Sequence, residues 1–411
     1  MDSKPLFISQ NKLMIRFYFI LAFFLISFLS FSKAPEYHLW LLAIGVTEFP
    51  LIFAGITTLL TITGIWAHKY QLPGTVLGVV TILIFLSPIF RAYWVAKDLK
   101  QDLIKSFSDI NGPNEPVLFT TDTPFSFWNL FKSTKDLSFK TLTYVKYADT
   151  SMTMDFYQAK PFDPGSLHPA IDLPEVLTDK RPCVIVVHGG SWAGGDSKQL
   201  PELNSYLAAK GYNVAAINYR MAPKLQTPAP VEDIQNAIAY CKVHAAELNI
   251  DTTKFVLLGR SAGAQIALLA AYTIHEPNLK GVIDFYGPSD MVWGYSIPSN
   301  PWIMDSRKVM GDYVGGTYQQ APQKYFNCSP VEFVTKTSVP TLMIHGMNDV
   351  LVSPLHDVRL IKKLQPAGVK YYWLKLPWAT HGFDYNLTGP GGQLSTYAVE
   401  TFLNTVCAPA H

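Results

Sequence analysis

A serine flanked by glycines limits the folds open to this chain more than any other feature. Residues 255–258 form a short apolar run typical of a buried strand, and residues 262–271 are typical of a helix. Between them the chain reads Gly259-Arg260-Ser261-Ala262-Gly263, which fits the pattern G-x-S-x-G. A serine on such a tight strand-to-helix turn exposes its hydroxyl above the sheet, where a nucleophile is needed. The five residues alone also arise by chance, so their surroundings decide the interpretation.

Strand patterns alternate with helical patterns through the rest of this region. Residues 141–147 and 152–157 alternate around a turn, which predicts an antiparallel hairpin. The later apolar runs, separated by helical patterns, are residues 183–187, 213–218, 255–258, 281–286, 341–344 and 371–376. This alternation predicts an α/β fold with a mostly parallel sheet and helices on both faces.

A glycine-rich turn, residues 188–192 (HGGSW), follows the predicted strand 183–187. Glycines there let main-chain N–H groups approach a substrate oxygen without obstruction by side chains. The N–H of Ala262 would lie at a helix N-terminus and point toward the same oxygen. We therefore expect Gly189, Gly190 and Ala262 to form an oxyanion hole, with an ordinary strand-to-helix turn as the alternative. His188 is expected to shape the loop and not to act as the base.

A nucleophilic serine needs a base, and the base needs an orienting acid. The expected chain order in an α/β sheet of this kind is serine, then acid, then histidine. Asp349 follows the strand pattern 341–344, and His381 follows the pattern 371–376. Both therefore lie at the carboxyl ends of strands, the edge where such sheets bind ligands. The sequence predicts Ser261, Asp349 and His381 as the catalytic residues.

Other acids and histidines lie close to these positions. Asp384 follows the predicted base, and Asp290 follows the strand pattern 281–286, which makes Asp290 the more serious alternative acid. His345 lies within the acid loop and His356 follows it, and we expect both to be structural.

Three apolar stretches precede the α/β region: residues 13–32, 38–67 and 72–90. About 20 apolar residues span the hydrocarbon core of a bilayer, so three transmembrane helices are the simplest prediction. A cleaved signal peptide is the alternative for the first stretch, and a helix pair broken at Pro50 is the alternative for the second. Glu48 is expected near a membrane interface or in a pair within the bundle, with a functional intramembrane acid as the alternative.

These stretches divide the chain into a membrane region at residues 1–95, a juxtamembrane amphipathic helix and linker at 96–137, and a catalytic domain at 138–411. Lys4, Lys12 and Arg16 favour a cytoplasmic N-terminus, and three spans would place the catalytic domain on the opposite side of the membrane. Basic residues after the third stretch, such as Arg91 and Lys97, favour the reverse orientation.

Charge and cysteine usage bear on the partners. The net charge is +2, and no basic cluster with interleaved aromatic residues is present, so no nucleic-acid partner is expected. The 4 cysteines are far apart and show no spacing typical of a metal site. Acyl transfer to a serine needs no metal and no organic cofactor, so neither is expected. The oligomeric state stays open.

Residues from about 140 to 408 resemble the hormone-sensitive-lipase-like branch of α/β-hydrolases and its neighbours, the carboxylesterases, acetyl esterases and feruloyl-esterase-like proteins. The matching motifs are HGGSWAGGD at 188–196, NYRMAP at 218–223, VED at 231–233, GRSAG at 259–263, FYGPSD at 285–290, HG at 345–346 with Asp349, and HGF at 381–383. The resemblance implies the α/β-hydrolase fold and the catalytic and oxyanion residues given above. It also implies structural roles for Arg220 and Asp233.

The resemblance and the residues together predict a membrane-anchored, multi-pass serine hydrolase that cleaves carboxylic esters through an acyl-enzyme intermediate. The expected partners are a small-molecule or lipid-like ester substrate and the lipid bilayer, which the N-terminal helices would enter. A peptidase or amidase that uses the same residues is one alternative. A non-catalytic membrane receptor on a hydrolase scaffold is the other, although such proteins usually lose the serine or the histidine.

Overall fold

A single mixed sheet runs through the α/β region of the computed structural model, which describes residues 4–63, 71–110, 112, 117–119, 121, 123–160 and 180–408. Its strands are β1 (Lys140–Lys146), β2 (Ser151–Tyr157), β3 (Arg181–Val187), β4 (Asn213–Ile217), β5 (Ile250–Arg260), β6 (Leu279–Phe285), β7 (Thr341–Gly346) and β8 (Tyr371–Leu376). Their spatial order is β1-β2-β4-β3-β5-β6-β7-β8. Strand β2 pairs antiparallel with β1 and β4, and the remaining pairs are parallel. The predicted hairpin and the mostly parallel sheet are confirmed.

In the described part of the chain, four α-helices precede the sheet: α1 (Lys4–Ser27), α2 (Tyr37–Glu48), α3 (Pro50–Ile62) and α4 (Gln71–Phe107). Helices α2 and α3 meet at an angle of 88°, so the second apolar stretch is broken before Pro50 and is not one tilted helix. Proline lacks an N–H and is favoured in the first turn of a helix, where no acceptor is needed. Among the described residues, only Leu72–Phe107 is long and apolar enough to cross a membrane alone, and the bent pair would add a second span if it acts as one.

Helix α4 joins the third apolar stretch to the predicted juxtamembrane helix without a break. No glycine or proline lies between residues 90 and 107, so nothing stops the helix at the predicted boundary near residue 95. Its second half packs against the sheet, with Leu99, Leu103 and Phe107 buried. Its first half leaves apolar side chains open, including Leu72 at 75% exposure. The prediction of two separate helices is therefore wrong, while the division into domains stays a prediction.

Both faces of the sheet carry helices, as the alternating pattern predicts. The helices after β3 are α5 (Pro201–Ala209), α6 (Ala229–Val243), α7 (Ala262–Thr273), α8 (Met291–Ser296), α9 (Ser306–Val314), α10 (Pro322–Asn327), α11 (Leu355–Leu364) and α12 (Pro390–Val406). Helices α6, α7 and α11 bury their apolar sides in the core on one face. Helices α5 and α12 do so on the other face, together with the second half of α4. Because both faces are covered, the central residues of the parallel strands are mostly apolar.

Glu48 connects the N-terminal helices to the α/β region. The residue is 1% exposed, and its Oε2 accepts a hydrogen bond of 2.8 Å from the main-chain N–H of Gly391 in the first turn of α12. Asn386 donates to the main-chain carbonyl of Glu48 over 2.8 Å. A carboxyl group at a helix N-terminus is favourable because unpaired N–H groups point toward it. Glu48 therefore fastens the bend between α2 and α3 to α12, and it does not pair within the helix bundle.

Candidate active site

Ser261 lies on the tight turn between β5 and α7. Its backbone angles are φ 53° and ψ −121°, a conformation that residues other than glycine rarely adopt and that occurs at functional sites. The neighbouring glycines permit this turn. A Cβ atom on Gly263 would overlap the carbonyl oxygens of Val187 and His188, and one on Gly259 would overlap the start of α7. The serine is thus raised above the carboxyl edge of the sheet, as the G-x-S-x-G pattern predicts.

The three predicted catalytic side chains meet at this edge. His381 Nε2 lies 2.9 Å from Ser261 Oγ, and His381 Nδ1 lies 2.7 Å from Asp349 Oδ2. The other carboxylate oxygen, Asp349 Oδ1, accepts hydrogen bonds from the N–H groups of Leu351 at 2.8 Å and Val352 at 2.9 Å. The imidazole therefore bridges a hydroxyl and a carboxylate whose orientation the acid loop fixes. This is the arrangement that activates a serine for attack on a carbonyl carbon.

Asp349 is held ionised. Burial alone raises the pKa of this carboxyl group, but the charge of His381 and hydrogen bonds from His345 and His381 outweigh burial and lower the pKa below its ordinary 3.8. A carboxylate beside His381 Nδ1 favours the tautomer that leaves Nε2 free to accept the serine proton.

His345 lies directly behind the acid. Its Nε2 is 3.2 Å from Asp349 Oδ2, and its Nδ1 is 2.6 Å from Asp357 Oδ2. Burial lowers the pKa of this histidine, but the two carboxylates raise it by more, so that it lies well above the ordinary 6.5. The imidazole is therefore enclosed between two carboxyl groups, and its raised pKa favours the protonated form. The sequence predicts only a structural role for His345, and its place in the acid loop is the one signal that could have suggested this contact.

The alternative acids are engaged elsewhere. Asp384 accepts a hydrogen bond of 2.6 Å from Arg260, and both side chains are buried. Asp290 caps the N-terminus of α8 and accepts a hydrogen bond of 2.6 Å from Arg359. Among the described residues, neither acid is hydrogen-bonded to His381, so the structure favours Asp349 over both.

Of the three predicted oxyanion donors, Gly189 and Gly190 lie in the glycine loop and Ala262 lies at the start of α7. The N–H of Gly189 donates to Gln199 Oε1 over 2.7 Å and is not available to a substrate oxygen, so this part of the prediction is corrected. The N–H groups of Gly190 and Ala262 have no acceptor among the described residues. Gly190 has a φ of 118°, and a Cβ atom there would overlap the carbonyl of Gly194. Only glycine fits this turn without strain.

His188 shapes the same loop. Its Nδ1 lies 2.7 Å from the carbonyl oxygen of Gly189, and its ring stacks on Tyr219 with centroids 4.4 Å apart. Burial lowers the pKa of His188, so the ring is neutral at physiological pH.

Arg220 and Asp233 form an ion pair just after β4. The Arg220 Nε lies 2.9 Å from Asp233 Oδ1, which agrees with the structural roles implied for both residues.

The segment at residues 291–305 reaches the site through its end. Met304 Sδ lies 3.5 Å from Ser191 Oγ in the glycine loop, and Asn300 donates to the carbonyl of Pro35 over 2.8 Å. Trp293, by contrast, packs against His356 away from the serine, with ring centroids 4.9 Å apart. The end of this segment thus borders the entrance and is tied to the N-terminal region.

Helix α2 also borders the site, next to the loops that carry His381 and Asp349. Trp40 Nε1 donates to the main-chain carbonyl of His381 over 3.0 Å, and the two rings lie 6.3 Å apart. Ile44 lies against Gly382, the next residue of the loop that carries the base. Val350, next to the acid, packs on the cluster of apolar residues at the end of α1 and on α2. Sequence reasoning missed this role for α2, since no local pattern links residues 341 positions apart.

Within the described part of the chain, no group of three or more histidine, cysteine, aspartate or glutamate side chains could hold a metal ion.

Comparison with known proteins points to esterases. The BD-FAE family model matches residues 170–364. Esterase LipC of Mycobacterium tuberculosis is 29% identical over 260 residues, which are 59% of this chain and 63% of that protein. The probable carboxylic ester hydrolase LipM of the same organism is 30% identical over 250 residues, 57% of each chain. The chain thus spans about three fifths of the length of these curated relatives.

Solved structures share the fold. A bacterial heroin esterase superposes with a TM-score of 0.55 and 20% identity, over 68% of this chain and 88% of that one. Esterase 2 of Thermogutta terrifontis, phosphonylated by sarin, superposes with a TM-score of 0.53 and 19% identity, over 67% and 98% of the two chains. The chain therefore shares the fold of these two solved esterases, and the two curated proteins that it resembles in sequence are an esterase and a probable carboxylic ester hydrolase.

Proposed function

We propose that this chain is a serine hydrolase that cleaves carboxylic esters through an acyl-enzyme intermediate. The observation that carries the proposal is the position of His381, whose two nitrogens lie 2.9 Å from Ser261 Oγ and 2.7 Å from Asp349 Oδ2. The esterases among its relatives by sequence support the choice of an ester as substrate.

In the first half-reaction, His381 Nε2 takes the proton of Ser261 as Oγ attacks the ester carbonyl carbon. The tetrahedral intermediate collapses, the alcohol leaves with the proton from His381, and the acyl group stays on Ser261. Water then repeats the sequence, giving its proton to His381 and releasing the acid. Asp349 stabilises the imidazolium that forms in each half-reaction.

The oxyanion of each intermediate would lie against the N–H groups of Gly190 and Ala262. The N–H of Ala262 stands at the start of α7, where the helix dipole also favours negative charge. Loss of one such donor typically lowers kcat by about 10²–10³. Gln199, which accepts the hydrogen bond from Gly189, would keep the loop in the conformation that presents the Gly190 N–H.

A p-nitrophenyl acetate assay on the full chain in detergent or nanodiscs tests this function. We expect a burst of p-nitrophenol as the acyl-enzyme forms, and a fall in kcat of about 10⁶ in Ser261→Ala. Activity that survives in Ser261→Ala would contradict the assignment. A p-nitroanilide of the same acid, cleaved faster than the ester, would favour the amidase alternative. Stoichiometric ligand binding without turnover would favour the receptor alternative.

We further propose that the chain crosses the bilayer three times, by α1, by α3 as part of the bent pair α2–α3, and by α4. Their large apolar side chains are widely exposed, which is unusual for a protein surface in water. The exposed aliphatic and phenylalanine side chains among them include Leu25, Ile52, Leu59, Leu72, Leu83 and Phe90. The three helices pack on one another, so each would also contact protein on one side.

Two arginines would mark the ends of the apolar layer. Arg16 donates to the carbonyls of Leu60 and Thr61 over 2.7 and 2.9 Å at one end of the bundle. Arg91 donates to the carbonyl of Ser30 over 2.6 Å at the other end, next to the catalytic region. The Arg16 side chain lies against Gly74 of α4. Gly74 and Arg91 are about 17 residues apart, which is roughly 25 Å of helix, compared with about 30 Å for the hydrocarbon core of a bilayer. Three spans place the catalytic region on the side opposite the N-terminus.

Alkaline carbonate extraction and protease protection in sealed vesicles test this topology. The full chain should stay with the membrane, and tags at its two ends should be digested from opposite sides. Release into the soluble fraction would contradict membrane insertion. Tags digested from the same side would contradict an odd number of spans.

A further inference from the structure

One face of helix α2 carries a row of apolar side chains, Tyr37, Trp40, Leu41 and Ile44, which we call the α2 stripe. Residues three, four and seven positions apart lie on the same face of a helix. Tyr37 is 44% exposed and Leu41 is 45% exposed, whereas Trp40 and Ile44 are half-buried. None of the four side chains carries a charge, so the helix presents a partly open hydrocarbon surface there.

The α2 stripe lies beside the reacting groups. The Trp40 ring is 6.3 Å from the ring of His381, and His381 Nε2 is 2.9 Å from Ser261 Oγ. An ester whose carbonyl carbon is at Ser261 therefore has the stripe within the reach of its chain. Tyr37, with its ring centroid 5.5 Å from that of Trp40, extends the surface away from the serine.

A second segment, residues 300–304, lies against both the glycine loop and the residues just before α2. Met304 contacts the glycine loop, with its Sδ 3.5 Å from Ser191 Oγ. The hydrogen bond of 2.8 Å from Asn300 to the carbonyl of Pro35 ties this segment to the residues just before α2. Trp302, between these contacts in sequence, is 76% exposed. The site thus has apolar groups on two sides and a polar centre at the serine and the glycine loop.

We propose that the α2 stripe binds the hydrocarbon chain of the ester, so that the enzyme prefers esters of long apolar chains over short ones. This inference rests on the proposed esterase function and deepens it by naming the substrate class. The stripe is apolar, as a site for a hydrocarbon chain must be. Burying each methylene group of such a chain strengthens binding by about fourfold. The stripe lies between the apolar helix bundle and the proposed base. The hydrocarbon chain of an ester dissolved in the bilayer would therefore reach Ser261 along an apolar surface.

Hydrolysis of p-nitrophenyl acetate and p-nitrophenyl decanoate by the full chain in nanodiscs tests the proposal. The variant is Tyr37→Ser/Leu41→Ser, which changes the two exposed members of the α2 stripe and leaves Trp40 in place. The control is Val243→Ser, an equally apolar position that is 80% exposed at the end of α6, on the opposite edge of the sheet. We expect kcat/KM for decanoate to fall by about tenfold in the double variant, while acetate changes by less than about twofold. The control should match the unchanged protein with both esters.

An equal fall with both esters would overturn the proposal, since it would mean that the change acts on the base or on the fold. An unchanged preference for decanoate in the double variant would overturn it as well. Failure of the unchanged protein to hydrolyse either ester is a different result, because it overturns the proposed esterase function on which the inference rests.

Discussion

Trp40 donates its indole N–H to the main-chain carbonyl of His381 over 3.0 Å and thereby joins an N-terminal helix to the loop of the proposed base. The same helix ends at Glu48, whose side chain accepts a hydrogen bond from Gly391 just beyond that loop. The loop is therefore held by α2 at two points, on either side of residues 382–390. The N-terminal region is in this respect a part of the site's framework as well as a proposed membrane anchor.

Trp40→Phe tests the contact at the base. Phenylalanine keeps an aromatic ring against the loop but removes the N–H donor, so the loop loses one hydrogen bond, worth about 1 kcal/mol. We expect kcat for p-nitrophenyl acetate to fall by roughly fivefold, because the imidazole is less well placed, with KM little changed.

Trp128→Phe is the matched control, since Trp128 is 75% exposed in the linker before β1 and does not contact the site. Its kinetics should equal those of the unchanged protein. If Trp40→Phe alters KM alone, or alters nothing, α2 does not position the base.

His345→Gln tests the buried group behind the acid. The folded-state pKa of His345 lies well above its ordinary 6.5. The stability that the protonated ring gives to the folded protein is therefore complete below pH 6.5, and it is lost as the pH rises through the folded-state pKa. Removing one member of a buried charged cluster typically costs about 3 kcal/mol. We expect the melting temperature of His345→Gln to lie clearly below that of the unchanged protein at pH 6, and the gap to narrow toward pH 10. His244→Gln, which changes a partly exposed histidine, is the control, and an equal gap at both pH values would refute the protonated state.

Gly190→Ala tests the oxyanion loop. Alanine would place its Cβ against the carbonyl of Gly194 and would disfavour the φ of 118°. The N–H of residue 190 should move, and kcat should fall by about 10²–10³. Gly368→Ala is a useful control, because Gly368 also has a positive φ, 72°, but a Cβ atom there meets nothing within 4 Å. Equal losses of activity in the two variants would show that backbone strain, and not the oxyanion donor, is responsible.

The strands, and the positions of the proposed catalytic residues after them, could be predicted because each signal is local. A buried parallel strand is apolar along its length, and a functional loop follows its carboxyl end, as with Asp349 after β7 and His381 after β8. The continuity of α4 across residue 95 could not be predicted, for a related reason. Charged residues begin at Arg91, which suggests the end of a membrane helix. The chain has no glycine or proline there that would end the helix, however, and α4 continues.

The contacts that surround the site could not be predicted, because they depend on how distant segments pack. The contact between Trp40 and His381 joins residues 341 positions apart, and no motif marks either partner. The donor set of the glycine loop was misjudged at Gly189, because the side chain of Gln199, ten positions later, takes up that N–H. Which of several neighbouring N–H groups faces a substrate depends on such side-chain contacts.

Labelling the folded protein with a fluorophosphonate, followed by peptide mapping, tests the central claim most directly. Such probes react with a serine only where a base activates its hydroxyl, so the label reports the contact of 2.9 Å between Ser261 and His381 in solution. We predict a single phosphonylated peptide that carries the label on Ser261, and no label in Ser261→Ala or in heat-denatured protein. Folded protein that takes up no label at Ser261, while a known serine esterase reacts in the same tube, would contradict the account.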